Sequence, residues 1–232
     1  MEYRVENKYL CTDYELAILR HRIEQLLPTD RNQKGECYSI RSVYFDTYGD
    51  EFFYGNAEGV DRRSKYRIRI YDNSDRKIHF EIKQKQNGYI RKESFKLQRE
   101  ECEKLLEGKS FDVTVQNDSV RNRVMLQQQL KMLRPVMIVD YERSAYICSI
   151  GNVRITFDRN IAASTSVMDF FEKKIPMIPV LQPHVHLLEV KYDEVLPDYI
   201  AQALNLGKLQ QISFSKYYLG RQVVDTNNLL VY

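Results

Sequence analysis

The chain has 232 residues, 43% of them hydrophobic and 29% charged, which is the composition of a soluble globular protein. Its net charge is only +3, which excludes the broad basic field of a general nucleic-acid-binding protein. The charged N-terminus lacks the apolar core of a signal peptide, and no apolar run approaches the ~20 residues that cross a bilayer. We therefore expect a protein that binds no nucleic acid and does not insert into membranes, so that any membrane anchor comes from a separate partner.

The cysteines are isolated from one another in the sequence. No two of them form a CxxC pair, which is typical of reduced thiols and not of a disulfide framework or a zinc site. Reduced thiols indicate a cytoplasmic location. The four residues are Cys11, Cys37, Cys102 and Cys148.

Alternating polar and apolar residues predict eight β-strands. They span residues 3–10, 38–46, 65–71, 78–86, 89–96, 136–148, 153–158 and 185–192. Residues 72–75 and the pair Asn87-Gly88 are typical of hairpin turns, so the strands on either side of each turn are expected to be antiparallel.

Segments with helical spacing of apolar residues separate the strands. The first helix is predicted to begin at Thr12, which fits a capping box with Glu15, and to stop at Pro28. The aromatic cluster at 52–54 predicts either a segment across a barrel end or a short helix. Further helices are predicted at 98–107, 118–133, 197–206 and from 213 onward, with a short helix near 169–173.

These elements predict an α+β fold: an eight-stranded antiparallel β-barrel with flanking helices, in a single domain over residues 1–232. Closure is expected because it removes the exposed edges of a sheet. If the apolar faces point inward, the barrel has a packed core. If the charged faces point inward, it is a polar tunnel whose apolar outside is covered by the helices.

Charged residues recur on one face of most of the predicted strands. In the third strand Lys65, Arg67 and Arg69 alternate with apolar residues, a pattern that a half-exposed strand also produces. Taken together, the charged faces contain mostly cations, which suit phosphate groups, and a few carboxylates, which hold a divalent metal together with phosphate oxygens. The sequence therefore predicts a site for phosphate chains or nucleoside triphosphates.

Eight short motifs extend this pattern over the whole chain. They are Arg4-Val5-Glu6-Asn7-Lys8-Tyr9, Ser42-Val43-Tyr44-Phe45-Asp46-Thr47, Lys65-Tyr66-Arg67-Ile68-Arg69, Glu81-Ile82-Lys83, Tyr141-Glu142-Arg143, Arg154-Ile155-Thr156-Phe157-Asp158, Leu188-Glu189-Val190-Lys191-Tyr192 and Ser213-Phe214-Ser215-Lys216-Tyr217. In this order the series resembles the catalytic domain of the vacuolar transporter chaperone (VTC) polyphosphate polymerases, within the triphosphate tunnel metalloenzyme superfamily. The resemblance implies an eight-stranded tunnel that binds ATP and polyphosphate and moves the γ-phosphoryl group of ATP onto a growing polyphosphate chain.

The resemblance also implies roles for individual residues. Seven basic residues match the catalytic, phosphate-binding positions: Lys8, Arg67, Arg69, Lys83, Arg143, Arg154 and Lys191. Substrate binding is implied for Lys92, Ser215 and Lys216. Glu189 matches the carboxylate that holds Mn²⁺ or Mg²⁺, and Glu6 and Glu81 either join it as metal ligands or orient a neighbouring Lys or Arg.

One departure from the superfamily bears on the reaction. Its hydrolases begin with Glu-x-Glu-x-Lys, whereas Arg4 stands here in place of the first glutamate and leaves Glu6 and Lys8. One metal-binding carboxylate fewer favours the polymerase over the hydrolase. Two alternatives stay open: a hydrolase of tripolyphosphate or nucleoside triphosphates with the same fold, and a non-catalytic polyphosphate-binding subunit.

Other candidate residues have structural interpretations. His184 and His186 form a His-x-His pair, but His186 falls on the apolar face of its strand, which favours a packing or surface role over metal binding. Asp158 is expected to hold Arg154 and not a metal.

Overall fold

This computed structural model describes residues 4–87, 89–110 and 119–229. Three residues that the sequence predictions include lie outside these ranges: Tyr3 of the first strand, Gly88 of the second hairpin turn and Asp118 of the helix at 118–133. All of the candidate site residues lie within them.

Eight long strands occupy the positions that the alternating pattern predicts, and two short strands add to them. In chain order the strands are β1 (Arg4–Thr12), β2 (Tyr38–Asp46), β3 (Arg63–Tyr71), β4 (Ser74–Gln86), β5 (Tyr89–Leu97), β6 (Arg134–Cys148), β7 (Val153–Ser164), β8 (Ile178–Pro179), β9 (Val185–Asp193) and β10 (Gln210–Gln211). The two-residue strands β8 and β10 were not predicted, because two residues are too few to show an alternating pattern.

The strands form one sheet whose hydrogen-bonded order is β10-β1-β9-β7-β6-β2-β3-β4-β5, with β8 paired to β7. The predicted hairpins are antiparallel, and the α+β class is confirmed. Among the described residues the strand order has two ends, so closure into a barrel is not shown. Alternation could not settle this point, because it shows which face of a strand is apolar but not whether the first and last strands pair.

Six α-helices lie in the described part of the chain: α1 (Asp13–Leu26), α2 (Glu51–Ala57), α3 (Arg99–Leu106), α4 (Ser119–Lys131), α5 (Asp198–Leu204) and α6 (Lys216–Leu229). The capping box of α1 is confirmed, because the Thr12 hydroxyl accepts the Glu15 N–H and the Glu15 carboxylate accepts the Thr12 N–H. The aromatic cluster at 52–54 belongs to α2, while the short helix expected near 169–173 is a 3₁₀ turn over Val167–Asp169. None of these helices combines the length and apolarity needed to cross a membrane.

The chain divides into two compact units, each with its own core. Unit 1 comprises residues 1–39, 141–161 and 179–215. Its core packs α1 and α5 against the apolar faces of β1, β7 and β9. The buried residues there include Leu16, Leu19, Ile23, Ile155, Leu188, Val190, Ile200 and Leu204.

Unit 2 comprises residues 40–140, 162–178 and 216–232. Its core packs α3 and α4 against one face of β3, β4 and β5, with Ile68, Phe80 and Leu105 fully buried. Burial of each large apolar side chain contributes about 1.5–3 kcal/mol, which fixes the face that each strand turns towards the helices. The charged side chains of the same strands therefore occupy the opposite face.

Candidate functional site

The charged face of unit 2 carries a group of side chains that we call the cationic cluster: Tyr44, Arg67, Arg69, Glu81 and Lys92. The strand register brings them together, because Tyr44 of β2 lies opposite Arg67 of β3, and Arg67 lies opposite Glu81 of β4. Residues directly opposite each other in antiparallel strands share a face and touch. The cluster thus unites residues that are far apart in the sequence.

Glu81 lies at the centre of the cationic cluster. Its Oε2 atom lies 2.8 Å from Arg67 Nε, 2.6 Å from Arg67 Nη2 and 3.7 Å from Arg69 Nη1. Its Oε1 atom lies 2.7 Å from Lys92 Nζ. Three cations therefore face one carboxylate, and the side chain of Arg67 is 21% exposed, so an anion can reach its guanidinium.

The cations control the ionisation of both acids in the cluster. Burial alone would raise the pKa of Glu81, but Arg67, Arg69 and Lys92 outweigh burial and hold that pKa well below its usual range. Burial would likewise raise the pKa of Tyr44, but Arg67 and Arg69 lower it instead. The folded protein thus stabilises the charged form of each group.

Glu81→Gln is expected to destabilise the protein at neutral pH by an amount that shrinks in acid. The lowered pKa keeps folded Glu81 ionised after the unfolded carboxyl group, whose pKa is about 4.3, has taken up its proton. The stabilisation is therefore complete above the unfolded pKa and is lost as the pH falls towards the folded pKa, at about 1.4 kcal/mol per pH unit.

Urea unfolding of both proteins at about pH 7 and about pH 3.5 measures this difference. Glu58→Gln, at an exposed position beyond α2, is the matched control for the loss of one carboxylate outside the cluster. Equal destabilisation by Glu81→Gln at both pH values would contradict the assignment of Glu81 as the ionised partner of the three cations.

A row of lysines continues the charged face beside the cationic cluster. Lys65, Lys83 and Lys92 lie opposite one another across β3, β4 and β5. The row therefore adds Lys65 and Lys83 to the positive charge on the face that carries the cationic cluster.

The start of α6 contributes a further cation to this face. Lys216 is the first residue of α6, and its charge is one of the causes that lower the pKa of Tyr44. The helix is held there because the ring of Tyr217 lies 5.3 Å from that of Tyr44 and its hydroxyl donates a hydrogen bond to buried Asp46. Ser215, half-buried, immediately precedes Lys216.

The charged face of unit 1 carries a second group, the mixed-charge cluster, which alternates in sign across β1 and β9. Glu6 lies opposite Lys191, and Lys8 lies opposite Glu189. Lys8 Nζ lies 3.2 Å from Glu6 Oε1 and donates to the Phe214 carbonyl at 2.7 Å, while Lys191 Nζ lies 2.8 Å from Glu189 Oε2. Burial lowers the pKa of Lys191, and the two glutamates oppose this only in part.

Arg143 joins Asp158 to the mixed-charge cluster. Its Nε and Nη2 atoms lie 2.6 and 2.7 Å from the two carboxylate oxygens of Asp158, and Nη2 lies 3.6 Å from Glu189 Oε2. Asp158 is 0% exposed, so this two-point ion pair is shielded from water. Burial would lower the pKa of Arg143, but Asp158, Tyr141 and Glu189 together outweigh burial and raise that pKa well above the ordinary value.

The expectation that Asp158 holds Arg154 is wrong. Arg154 instead lies opposite Lys191, with Nη2 2.9 Å from Asp30 Oδ2. Four residues of a strand cover about 13 Å, so Arg154 and Asp158 lie on one face without touching. Asp30 comes from the loop after α1, where its N–H donates to the Ala145 carbonyl, and nothing in the sequence of that loop singled it out.

The candidate metal ligands differ in how well they fit an ion. The described residues contain no group of three or more His, Cys, Asp or Glu side chains that could hold a metal. Glu6 and Glu189 lie on one face of neighbouring strands, which fits an ion such as Mg²⁺ that takes one or two carboxylates and completes its shell with phosphate oxygens. Glu81 fits less well because cations contact both of its oxygens, which favours its role in orienting them.

The histidine pair lies at the start of α1. His184 Nδ1 and His186 Nε2 each lie 2.5 Å from a different oxygen of Asp13. His186 is buried and His184 is exposed. The packing or surface role that the sequence favoured for this pair stays a prediction.

Solved structures of low sequence identity share this fold. A protein from Hippeastrum, named as a candidate adenylyl cyclase with a dominant triphosphatase activity, has 12% identity and a TM-score of 0.55, with 96% of each chain covered. A candidate adenylate cyclase from Bacillus halodurans has 16% identity and a TM-score of 0.52, with 92% of this chain and 94% of that chain covered. At such identities the similarity shows the fold alone.

A search of curated proteins finds no match to the sequence. The profile of the VTC domain, in contrast, matches residues 3–225. The matched range includes both charged clusters and all eight sequence motifs. The chain therefore belongs to the VTC domain family.

Proposed function

We propose that the protein is an ATP-dependent polyphosphate polymerase, which moves the γ-phosphoryl group of ATP onto a growing polyphosphate chain and releases ADP. The observation that carries this proposal is the cationic cluster, where three cations face one carboxylate beside a row of lysines. Membership in the VTC domain family supports it. Phosphoryl transfer depends mainly on positioning and charge neutralisation, which a face of this kind supplies.

The basic residues divide by the chemistry of their side chains. Arginine presents a planar fork that binds two phosphate oxygens at once, whereas lysine acts as a mobile point charge. The proposed arginine ligands are Arg67, Arg69, Arg143 and Arg154, and the proposed lysine ligands are Lys8, Lys83, Lys92, Lys191 and Lys216, with Ser215 as a hydroxyl donor. The proposal includes closure of the eight long strands into a tunnel around the phosphate chain.

Glu189 and Glu6 are the proposed holders of Mn²⁺ or Mg²⁺. An ion bound there would neutralise phosphate charge during transfer. Lys191, which contacts Glu189, and Lys8, which contacts Glu6, would hold the two carboxylates in position while they bind. The family resemblance that assigns Glu189 to the metal agrees with its position on the mixed-charge face.

A hydrolase of tripolyphosphate or nucleoside triphosphates is the second candidate. The Hippeastrum protein with the same fold has a dominant triphosphatase activity. In a hydrolase, water replaces the end of the polyphosphate chain as the acceptor, and the same basic residues would position the donor.

Phosphorus NMR of the purified protein with ATP, Mn²⁺ and a short polyphosphate primer tests the proposal. Growth of the signal from internal phosphates, with an equal amount of ADP, is the expected result. Release of orthophosphate alone would overturn the polymerase in favour of the hydrolase. Tight binding of polyphosphate without any turnover would overturn both and leave a non-catalytic binding subunit.

A further inference from the structure

Tyr44 places a phenol among the cations of unit 2. It lies on β2 directly opposite Arg67, is only 4% exposed, and its hydroxyl oxygen accepts a hydrogen bond from Arg67 Nη1 at 3.1 Å. The charges of Arg69 and Lys216 also act on this phenol. The ring is held in place by Tyr217, whose hydroxyl is directed to Asp46.

The hydroxyl of Tyr44 has a proton to donate as well as lone pairs that accept. Arginine and lysine side chains are donors only, so neither Arg67 nor Lys216 can accept that proton. In the described part of the chain, the one hydrogen bond of the phenol is the bond that it accepts from Arg67. A donor surrounded by other donors is the arrangement of an anion-binding site.

We propose that Tyr44 is a further substrate-binding residue, whose phenolic O–H donates a hydrogen bond to a phosphate oxygen held by Arg67 and Arg69. This inference deepens the proposed function and rests on it. It assigns to the motif at 42–47 a direct contact with the phosphate chain. The hydrogen bond would add a neutral donor beside Arg67 and Arg69, the two arginines of the cationic cluster.

The protonation of Tyr44 provides a measurable consequence. Burial would raise the pKa of the free phenol, but Arg67, Arg69 and Lys216 lower it below the ordinary value of about 10. Two further titratable residues lie near the phenol of Tyr44. Glu81 binds Arg67, which in turn binds the phenol, and the ring of Tyr217 packs against that of Tyr44. A phosphate chain bound beside the phenol repels the phenolate and raises the pKa, so binding just below pH 10 is accompanied by proton uptake.

Titration calorimetry of the full chain with tripolyphosphate, in two buffers of different ionisation enthalpy, measures affinity and proton uptake together. Just below pH 10 the wild type is expected to take up protons on binding, whereas Tyr44→Phe is not. Loss of the hydrogen bond is also expected to weaken binding about tenfold. Tyr54→Phe, at an exposed position of α2, is the matched control and should bind like the wild type.

The outcomes separate this inference from the proposed function. Absence of tripolyphosphate binding by the wild type overturns both. Equal affinity of the wild type and Tyr44→Phe overturns the inference alone. Weaker binding by Tyr44→Phe with unchanged proton uptake overturns the direct contact and makes Tyr44 a positioning residue for Arg67.

A second measurement needs no variant. The absorbance of tyrosinate near 295 nm, followed against pH, should show a tyrosine of the wild type that ionises below about pH 10 and stops doing so when tripolyphosphate is added. An unchanged titration in the presence of bound ligand would overturn the inference even if Tyr44→Phe failed to fold.

Discussion

Arg67→Ala is expected to lower the rate of polyphosphate synthesis by about 10²- to 10³-fold, the usual effect of removing one group that stabilises developing charge in a reaction. Arg67 is fixed by Glu81 on one side and Tyr44 on the other, and its side chain is partly exposed. The guanidinium is therefore held in position while it stays accessible to a phosphate. Initial rates of ADP release and chain growth by phosphorus NMR measure the effect.

The fold of Arg67→Ala is expected to survive, because Glu81 keeps its contacts with Arg69 and Lys92. Arg67→Lys preserves the charge but not the fork, so its rate should lie between those of the wild type and Arg67→Ala. Arg76→Ala, at an exposed position of β4, is the control and should leave the rate unchanged. A folded Arg67→Ala that keeps more than about a tenth of the wild-type rate would contradict the assignment.

Asp158→Ala is expected to cost about 3–5 kcal/mol of unfolding free energy, because it leaves the guanidinium of Arg143 buried without its main counter-ion. The pair has two contacts of 2.6 and 2.7 Å, and Asp158 is completely buried. Removing one partner of such a pair therefore lowers the free energy of unfolding strongly. Urea unfolding with a constant m value measures the loss.

The double variant Arg143→Met/Asp158→Leu distinguishes an ion-pair effect from a packing effect. Replacing both partners removes the unpaired charge, so this variant is expected to be more stable than Asp158→Ala. It should nevertheless lose activity, because Arg143 is a proposed phosphate ligand. If Asp158→Ala cost less than about 1 kcal/mol, the pair would not stabilise the fold as the geometry implies.

The sequence alone was sufficient to locate the strands and their faces. In β3 the alternation of Arg67 and Arg69 with Ile68 corresponds to the division between the charged face and the helix-covered core. The capping box of Thr12 and Glu15 could also be predicted, because both of its contacts join residues three positions apart. Local patterns succeed where the interaction that they describe is itself local.

The ion-pair partners within the site could not be predicted from the sequence. Glu81 contacts Arg67 because of the register between two strands, and Arg154 contacts Asp30 because a loop returns to the sheet. Alternation fixes the face of a residue but not its partner across the sheet. For the same reason Tyr44 could be assigned to a motif, but its contact with Arg67 required the structure.

The ion pairs of Glu81 affect which ligands the charged face of unit 2 would bind tightly. A single phosphate group carries a charge of about −1.5 to −2, and the three cations that it would meet already share the charge of the Glu81 carboxylate. A longer chain would also reach Lys65 and Lys83, which lie on the same face as the cationic cluster. Affinity should therefore increase with the number of phosphates, so that in the proposed polymerase the lengthened chain would stay bound after each transfer while orthophosphate dissociates. An enzyme with this bias would be processive, adding many phosphates to one chain before it begins another.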